Sequence, residues 1–137
     1  MPEAITPDVE QLMSDYFDLR NGDLSKLDVL SDSFTFYLPF DEVHGRDGAE
    51  AMQRDQQTGF PDFHLEVDEM LVGDDVALWE WTVTGTHEGE WQGIAPTGQE
   101  VEFRGMSKTV IVDGKIQENW AYFDSQNLLA EFGTTDE

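Results

Sequence analysis

Asp113-Gly114 stands between two runs that read as strands, and this pair restricts the chain more than any other short feature. An Asp-Gly dipeptide flanked by alternating apolar residues is a two-residue hairpin turn. Residues 107–112 and the segment from Lys115 onward are therefore antiparallel partners. Side chains along a strand alternate between faces, so Ile116, Glu118, Trp120, Tyr122 and Asp124 share one face of the second strand. Trp120 and Tyr122 predict that this even-numbered face is buried for most of its length. Asp124 is then an acid at the inner end of an aromatic strand, just before a new helix. It is the lead candidate for chemistry.

The rest of the chain changes period once. Thr6-Pro7-Asp8 makes a helix start: a capping hydroxyl, a proline at the first helical position and an acid favoured by the helix dipole. Val9, Leu12, Met13, Tyr16, Phe17 and Arg20 follow the helical period, and Asn21-Gly22 stops it. Asp23 caps a second short helix through Leu24, Leu27 and Leu30. Residues 33–38 alternate as a strand that ends at Pro39, and residues 44–48 read as a loop. Asp47 and Glu50 have the spacing of a capping box for a third helix that reaches Thr58-Gly59. Beyond Pro61 the period is two. Residues 63–72, 76–87, 101–112 and 115–124 predict long strands, the second with Trp79, Trp81 and Val83 on one face. Leu128, Leu129 and Phe132 predict a terminal helical turn or two. Helices followed by long antiparallel strands on short turns make an α+β fold. With no repeat and no linker, residues 1–137 form one domain, whose bent sheet wraps the first helices and encloses a pocket.

Composition bears on partners more than on fold. Thirty Asp+Glu against seven Lys+Arg give a formal charge of −23, spread through every segment. Recurrent aromatic and β-branched runs argue against a disordered acidic chain. A nucleic-acid mimic fits less well than a folded domain with the lysine-poor, carboxylate-rich surface of salt-loving cytoplasm. In molar salt the Debye length is roughly 3 Å, which screens the self-repulsion of such a surface. Salt-dependent stability is expected, and neither nucleic acid nor an anionic membrane is an expected partner. Cysteine is absent, which excludes disulfides, thiol catalysis and thiolate metal sites. Met1-Pro2-Glu3-Ala4 is neither a basic nor an apolar signal segment, and no run has the length of a membrane span. The expectation is a soluble cytoplasmic protein.

Gly85-Thr86-His87-x-Gly89, Gly93 and Pro96-Thr97-Gly98 form an ordered set, followed by Asp113-Gly114-Lys115-Ile116 and Trp120-x-x-x-Asp124. Phe60-Pro61-Asp62 and His44-Gly45 add to it. The set resembles the SnoaL-like polyketide cyclase family of the nuclear-transport-factor-2-like superfamily, over roughly residues 7 to 133. The resemblance implies a cone-shaped α+β barrel, a curved antiparallel or mixed sheet around N-terminal helices with a pocket between them, commonly as a homodimer. In those cyclases the acid ending the Trp-x-x-x-Asp strand is the general acid/base of an intramolecular aldol closure, and Asp124 matches it. Family members often present a His or Gln toward that acid from the preceding strand. Here residues 103–110 hold neither, a departure from the pattern.

Each candidate has a chemical and a structural reading. A carboxylate walled by Trp120 and Tyr122 is poorly solvated, which raises its pKa toward the range useful for moving a proton beside a carbonyl. Asp124 equally suits the N-cap of a helix beginning at Ser125. Lys108 holds an enolate or carboxylate if it reaches inward and is otherwise a solvated lysine. Tyr16 is a core residue or points its hydroxyl into the pocket. Trp79 and Trp81 are large fillers first and ligand walls second. His87 fixes the glycine-rich hairpin, His44 a loop, and His64 lies on an outer alternation unless it pairs with an acid as a base. The three histidines share no ligand spacing, so no metal is expected. No phosphate loop, nucleophile elbow or dinucleotide fingerprint appears, and no cofactor is expected.

The expected function is a pocket for a small apolar or carbonyl-containing molecule. It belongs to a cofactor-independent cyclase, isomerase or hydratase with Asp124 as the catalytic residue and Tyr16, Trp81, Lys108, Trp120 and Tyr122 as substrate contacts. The alternatives are a non-catalytic ligand-binding module of the same fold, or a dimeric partner-binding protein using the sheet face that carries Glu80 and Thr82.

Overall fold

Helix α1 (Ile5–Arg20) opens the part of the chain described by the computed structural model, residues 5–91 and 93–124. The helix is already formed at Thr6, which the sequence suggested as its cap. Val9, Met13, Tyr16 and Leu19 recur at helical spacing and are all buried. Gly22 stops it at φ 114°, a left-handed conformation that costs glycine little. Asp23 then caps a single 3₁₀ segment, Leu24–Val29, by accepting from the Ser25 amide at 3.1 Å.

Strand β1 (Leu30–Leu38) is followed by a short strand β2 (Asp41–His44), which the sequence did not foretell. Helix α2 (Gly45–Gly59) follows without an intervening loop. The expected loop at residues 44–48 is therefore corrected. Gly45 at φ 75° turns the chain out of β2 straight into the helix, so Asp47 stands in the first turn and His44 occupies the cap. Strands β3 (His64–Val72), β4 (Val76–Thr86), β5 (Glu100–Val112) and β6 (Lys115–Tyr122) agree with the sequence pattern to within two residues. Asp113 (φ 53°) and Gly114 (φ 76°) form the β5–β6 turn with both residues left-handed, as a tight hairpin requires. The helix expected around Leu128 to Phe132 lies outside the described residues.

All six strands form one curved, unclosed sheet in the order β2-β1-β6-β5-β4-β3. Every neighbouring pair is antiparallel except β1 and β6, which run parallel. This is the α+β architecture that the sequence implied. Ala77, Trp79, Trp81 and Val83 face the helices along β4, and the opposite residues Leu78, Glu80 and Thr84 are exposed.

Strand β6 corrects the expected facing. Val110 pairs with Glu118, but Ile111 pairs with Ile116, so Gln117 is an extra residue without a partner on β5. One extra residue in a strand reverses every side chain beyond it. Ile116 is buried, yet past the bulge the buried residues are Asn119 and Ala121. Trp120 and Tyr122 lie on the outer face, and Tyr122 is 57 % exposed. The gap beside the bulge is closed by Gln117 itself. Its amide accepts from Ser31 Oγ at 2.9 Å and donates to Ser33 Oγ at 2.8 Å and to the Ser33 carbonyl at 3.2 Å.

Candidate functional site

The inner face of the sheet meets α2 around a cavity of about 120 Å³. Its walls are mainly rings: Phe36 from β1, Phe60 and Phe63 from the segment after α2, Trp81 from β4, Phe103 from β5 and Phe123 just past β6. Trp81 is fastened by its Nε1, which donates to Ser107 Oγ at 2.9 Å, and Ser107 is also on the wall. Gly105 makes this possible. A Cβ there would collide with the Trp81 ring and come within 2.7 Å of the Tyr122 carbonyl oxygen, so only glycine lets the indole lie across β5.

The Phe60-Pro61-Asp62 stretch holds one end of the cavity in place. Asp62 accepts from the Thr86 amide at 2.7 Å and from Thr86 Oγ1 at 2.8 Å. The bond from the Thr86 amide, reinforced by the Thr86 hydroxyl, holds the Asp62 carboxyl below its ordinary range. Phe60 stacks on the buried His87 with ring centroids 5.3 Å apart and an interplanar angle of 20°. His87 fixes the glycine-rich hairpin as expected. Its Nδ1 lies 3.1 Å from Thr97 Oγ1, and its backbone exchanges hydrogen bonds with Gln99 and Gly98.

Two polar devices organise the interior on this side of the sheet, one in the core and one on the cavity wall. A fully buried chain links Tyr16, Asn119, Thr109 and Trp79. Asn119 Nδ2 donates to the Tyr16 hydroxyl (2.9 Å), Thr109 Oγ1 donates to Asn119 Oδ1 (2.8 Å), and Trp79 Nε1 donates to Thr109 Oγ1 (3.0 Å). The second is Arg20, the last residue of α1, which is on the cavity wall with Gln56. Arg20 Nε donates to Gln53 Oε1 at 3.2 Å, and the side-chain amides of Gln53 and Gln56 donate back to the Arg20 carbonyl at 3.1 and 3.2 Å. The guanidinium carbon lies 4.9 Å from the Phe36 ring centroid.

Of the residues that the sequence singled out, Trp81 alone is on the cavity wall. Tyr16 is 1 % exposed and its hydroxyl is engaged by Asn119, so it belongs to the core rather than the wall. Trp120 and Tyr122 are corrected to the outer face of the sheet, a consequence of the Gln117 bulge. Lys108 is corrected to that face too, by the alternation of β5, between the buried Ser107 and Thr109. There Lys108 Nζ sits 5.6 Å from the Trp120 ring, which in turn stacks on Tyr37 at 3.8 Å. Asp124 is exposed rather than walled by Trp120 and Tyr122. It lines a surface groove with Glu102, Phe103 and Arg104, and Phe103 is common to that groove and the cavity. The helix it was expected to cap lies outside the described residues. His64 and His44 are exposed, and among the described residues no cluster of three His, Asp or Glu is arranged to hold a metal.

The wall residues that sequence reasoning missed are Arg20, Gln56 and the phenylalanines. A signal existed for the amides: Ala49, Met52, Gln53 and Gln56 repeat at helical spacing, so two glutamines sit in a stripe otherwise apolar.

A profile of SnoaL-like polyketide cyclases matches residues 8–132. The chain belongs to that family. Among solved structures, a candidate SnoaL-like polyketide cyclase from Jannaschia sp. CCS1 superposes with a TM-score of 0.84 at 19% identity, covering 97% of this chain and 96% of that one, a likeness of fold. AclR, a candidate hydroxylase from Streptomyces galilaeus, is 28% identical with a TM-score of 0.78, covering 96% of this chain and 85% of its own. IdmH, a candidate polyketide cyclase from Streptomyces antibioticus, is 25% identical with a TM-score of 0.73, covering 90% and 97%. Comparison with curated proteins finds no match. The SnoaL-like match spans both the ring-lined cavity and the Trp120-x-x-x-Asp124 segment. No described helix is long and apolar enough to cross a membrane.

Proposed function

We propose that this SnoaL-like chain binds a small, largely apolar, carbonyl-bearing molecule between its curved sheet and α2 and acts on it as a cofactor-independent cyclase, isomerase or hydratase. The observation that carries the reading is the aromatic cavity with only a few polar groups on its wall, the usual character of a small-molecule site. Asp124 is the proposed proton-transfer group. It removes a proton from carbon beside a carbonyl, the resulting enolate carbon attacks a second carbonyl, and the new alkoxide takes the proton back. Support for Asp124 comes from the Trp120-x-x-x-Asp124 spacing and from its place one residue past the wall residue Phe123. Burial gives it none.

The test uses a linear triketone that closes by aldol addition and loss of water to a substituted resorcinol, followed by absorbance. Asp124→Asn is expected to lower kcat by about 10²-fold or more, with KM and melting temperature unchanged. An unchanged kcat removes Asp124 from the reaction. Binding of the triketone without turnover in the wild type favours the second reading, a ligand-binding module. One observation favours that second reading: the ionisable side chains on the cavity wall are Arg20 and the exposed Asp41, among the described residues.

The proposed macromolecular partner is a second copy of the chain. Leu78, Met106 and Tyr122 are exposed at 43 %, 54 % and 57 % on the outer face, and β-pairing sets Leu78 beside Lys108 and Met106 beside Tyr122. These exposed apolar side chains, interleaved with Lys108 and Glu80, are what supports the proposed pairing. The proposed setting is a cytoplasm of high ionic strength, which a charge of −23 suits.

A further inference from the structure

We propose that the cavity reads the charge of its ligand through Arg20, and that the ligand class is a flat, apolar, singly charged carboxylate. The inference rests on the cavity being a small-molecule site, as argued above, and is independent of whether Asp124 catalyses anything.

The chain has thirty acids and seven Lys and Arg. Three of those seven pair with a carboxylate among the described residues. Lys26 pairs with Asp15 and Asp18, Arg46 with Asp32 and Arg54 with Glu50. Arg20 pairs with none among the described residues, and neither do Arg104, Lys108 and Lys115, but of these four Arg20 alone lies on the cavity wall. What α2 turns toward it instead are Gln53 and Gln56, neutral amides 1 % and 9 % exposed, where a Glu of the same reach would supply a counter-charge. Gln53 engages Nε, and the two amides hold the Arg20 main chain from the other side. The Phe36 ring beneath the guanidinium limits its motion. The guanidinium is thus held by Gln53, the Phe36 ring and Tyr16, and none of the three is a carboxylate.

A ligand filling the cavity strips water from Arg20. A neutral ligand leaves that charge desolvated with nothing in exchange, which is costly. A carboxylate supplies a counter-charge and a planar pair of acceptors matched to the guanidinium fork. Asp41, the other ionised wall residue, is exposed and has one oxygen engaged by the Glu42 amide at 2.8 Å. It repels an anion at its own end, which orients the carboxylate toward Arg20 and the ring toward the aromatic wall.

The experiment titrates cinnamate and the isosteric cinnamamide into the full chain at fixed ionic strength. Binding is followed at the Trp81 indole N–H resonance, whose side chain lines the cavity. Wild type is expected to bind cinnamate at least about ten times more tightly than cinnamamide. Arg20→Gln is expected to abolish the preference while still binding cinnamamide, and Arg20→Lys to restore part of it. Cinnamamide binding that matches cinnamate in the wild type, or a preference that survives in Arg20→Gln, overturns the proposal and leaves the cavity reading intact. If neither probe moves the resonance, the cavity reading itself fails. Melting temperatures of the variants separate loss of the charge from loss of the α1–α2 contact.

Discussion

Asn119 occupies the most demanding position in the core. It is fully buried and joins strand β6 to helix α1 through Tyr16 and to β5 through Thr109. Truncating it leaves a phenol and a hydroxyl without their partner in a site closed to water. Asn119→Ala is expected to cost about 2–4 kcal/mol, measured by urea unfolding at constant salt, and Tyr16→Phe about 1 kcal/mol. Tyr16 also sets an alkaline limit. Burial raises its phenol above the ordinary value, opposed by the nearby Arg20 charge and the Asn119 hydrogen bond. Because the folded state favours the neutral phenol, the stabilisation is complete below the unfolded pKa of about 10 and is lost as pH rises beyond it. Tyr16→Phe should flatten that decline in a pH series of unfolding curves.

Strand β6 shows how an element acquires its facing from something other than its alternation. The bulge at Gln117 turns Trp120 and Tyr122 outward and brings Asn119 and Ala121 inside. Deleting Gln117 forces a choice between the pairing with β5 and the burial of Asn119. Loss of cooperative unfolding in near-ultraviolet circular dichroism is expected, a penalty above about 4 kcal/mol. Gln117→Ala keeps the extra residue and loses only the bonds to Ser31 and Ser33, for about 1 kcal/mol. The contrast separates the backbone role from the side-chain role.

Long strands, the Asp113-Gly114 turn and the inward face of β4 were legible in the sequence because each is set by local periodicity. The bulge was not, because Ile116, Trp120 and Tyr122 mimic an unbroken apolar alternation, and only the acid Glu118 among them spoke against it. Glu118 now shares the outer face with Trp120, accepting from its Nε1 at 2.9 Å. The candidate site suffered most from this. Trp120 and Tyr122 followed the face, whereas the cavity wall is assembled from segments distant in sequence whose juxtaposition no local pattern encodes.

For the whole molecule, the charge of −23 is expected to set the conditions under which the fold and the proposed pairing persist. Raising salt from about 0.1 M to about 1 M shortens the Debye length from about 10 Å to about 3 Å. The melting temperature is expected to rise by about 4 °C or more, and sedimentation should show the dimer fraction rising with it. Met106→Glu places a carboxylate among the exposed apolar side chains of the outer face and should hold the chain monomeric at both salt concentrations without altering the monomer's fold. A wild type that stays monomeric at both concentrations overturns the proposed pairing.

The parallel junction between β1 and β6 carries a consequence for how the protein is made. Ser31 and Gln117 meet across that junction although 86 residues separate them. While the chain is still leaving the ribosome, β1 has β2 on one edge and nothing on the other. Its second edge closes only when β6 emerges, after β3, β4 and β5 have already been able to pair as hairpins. Contacts this distant slow the search for the native state, and an uncovered strand edge invites intermolecular pairing meanwhile. The hazard therefore lasts until β6 has been made, and a chain stalled short of residue 115 would present that bare edge to its neighbours on the polysome.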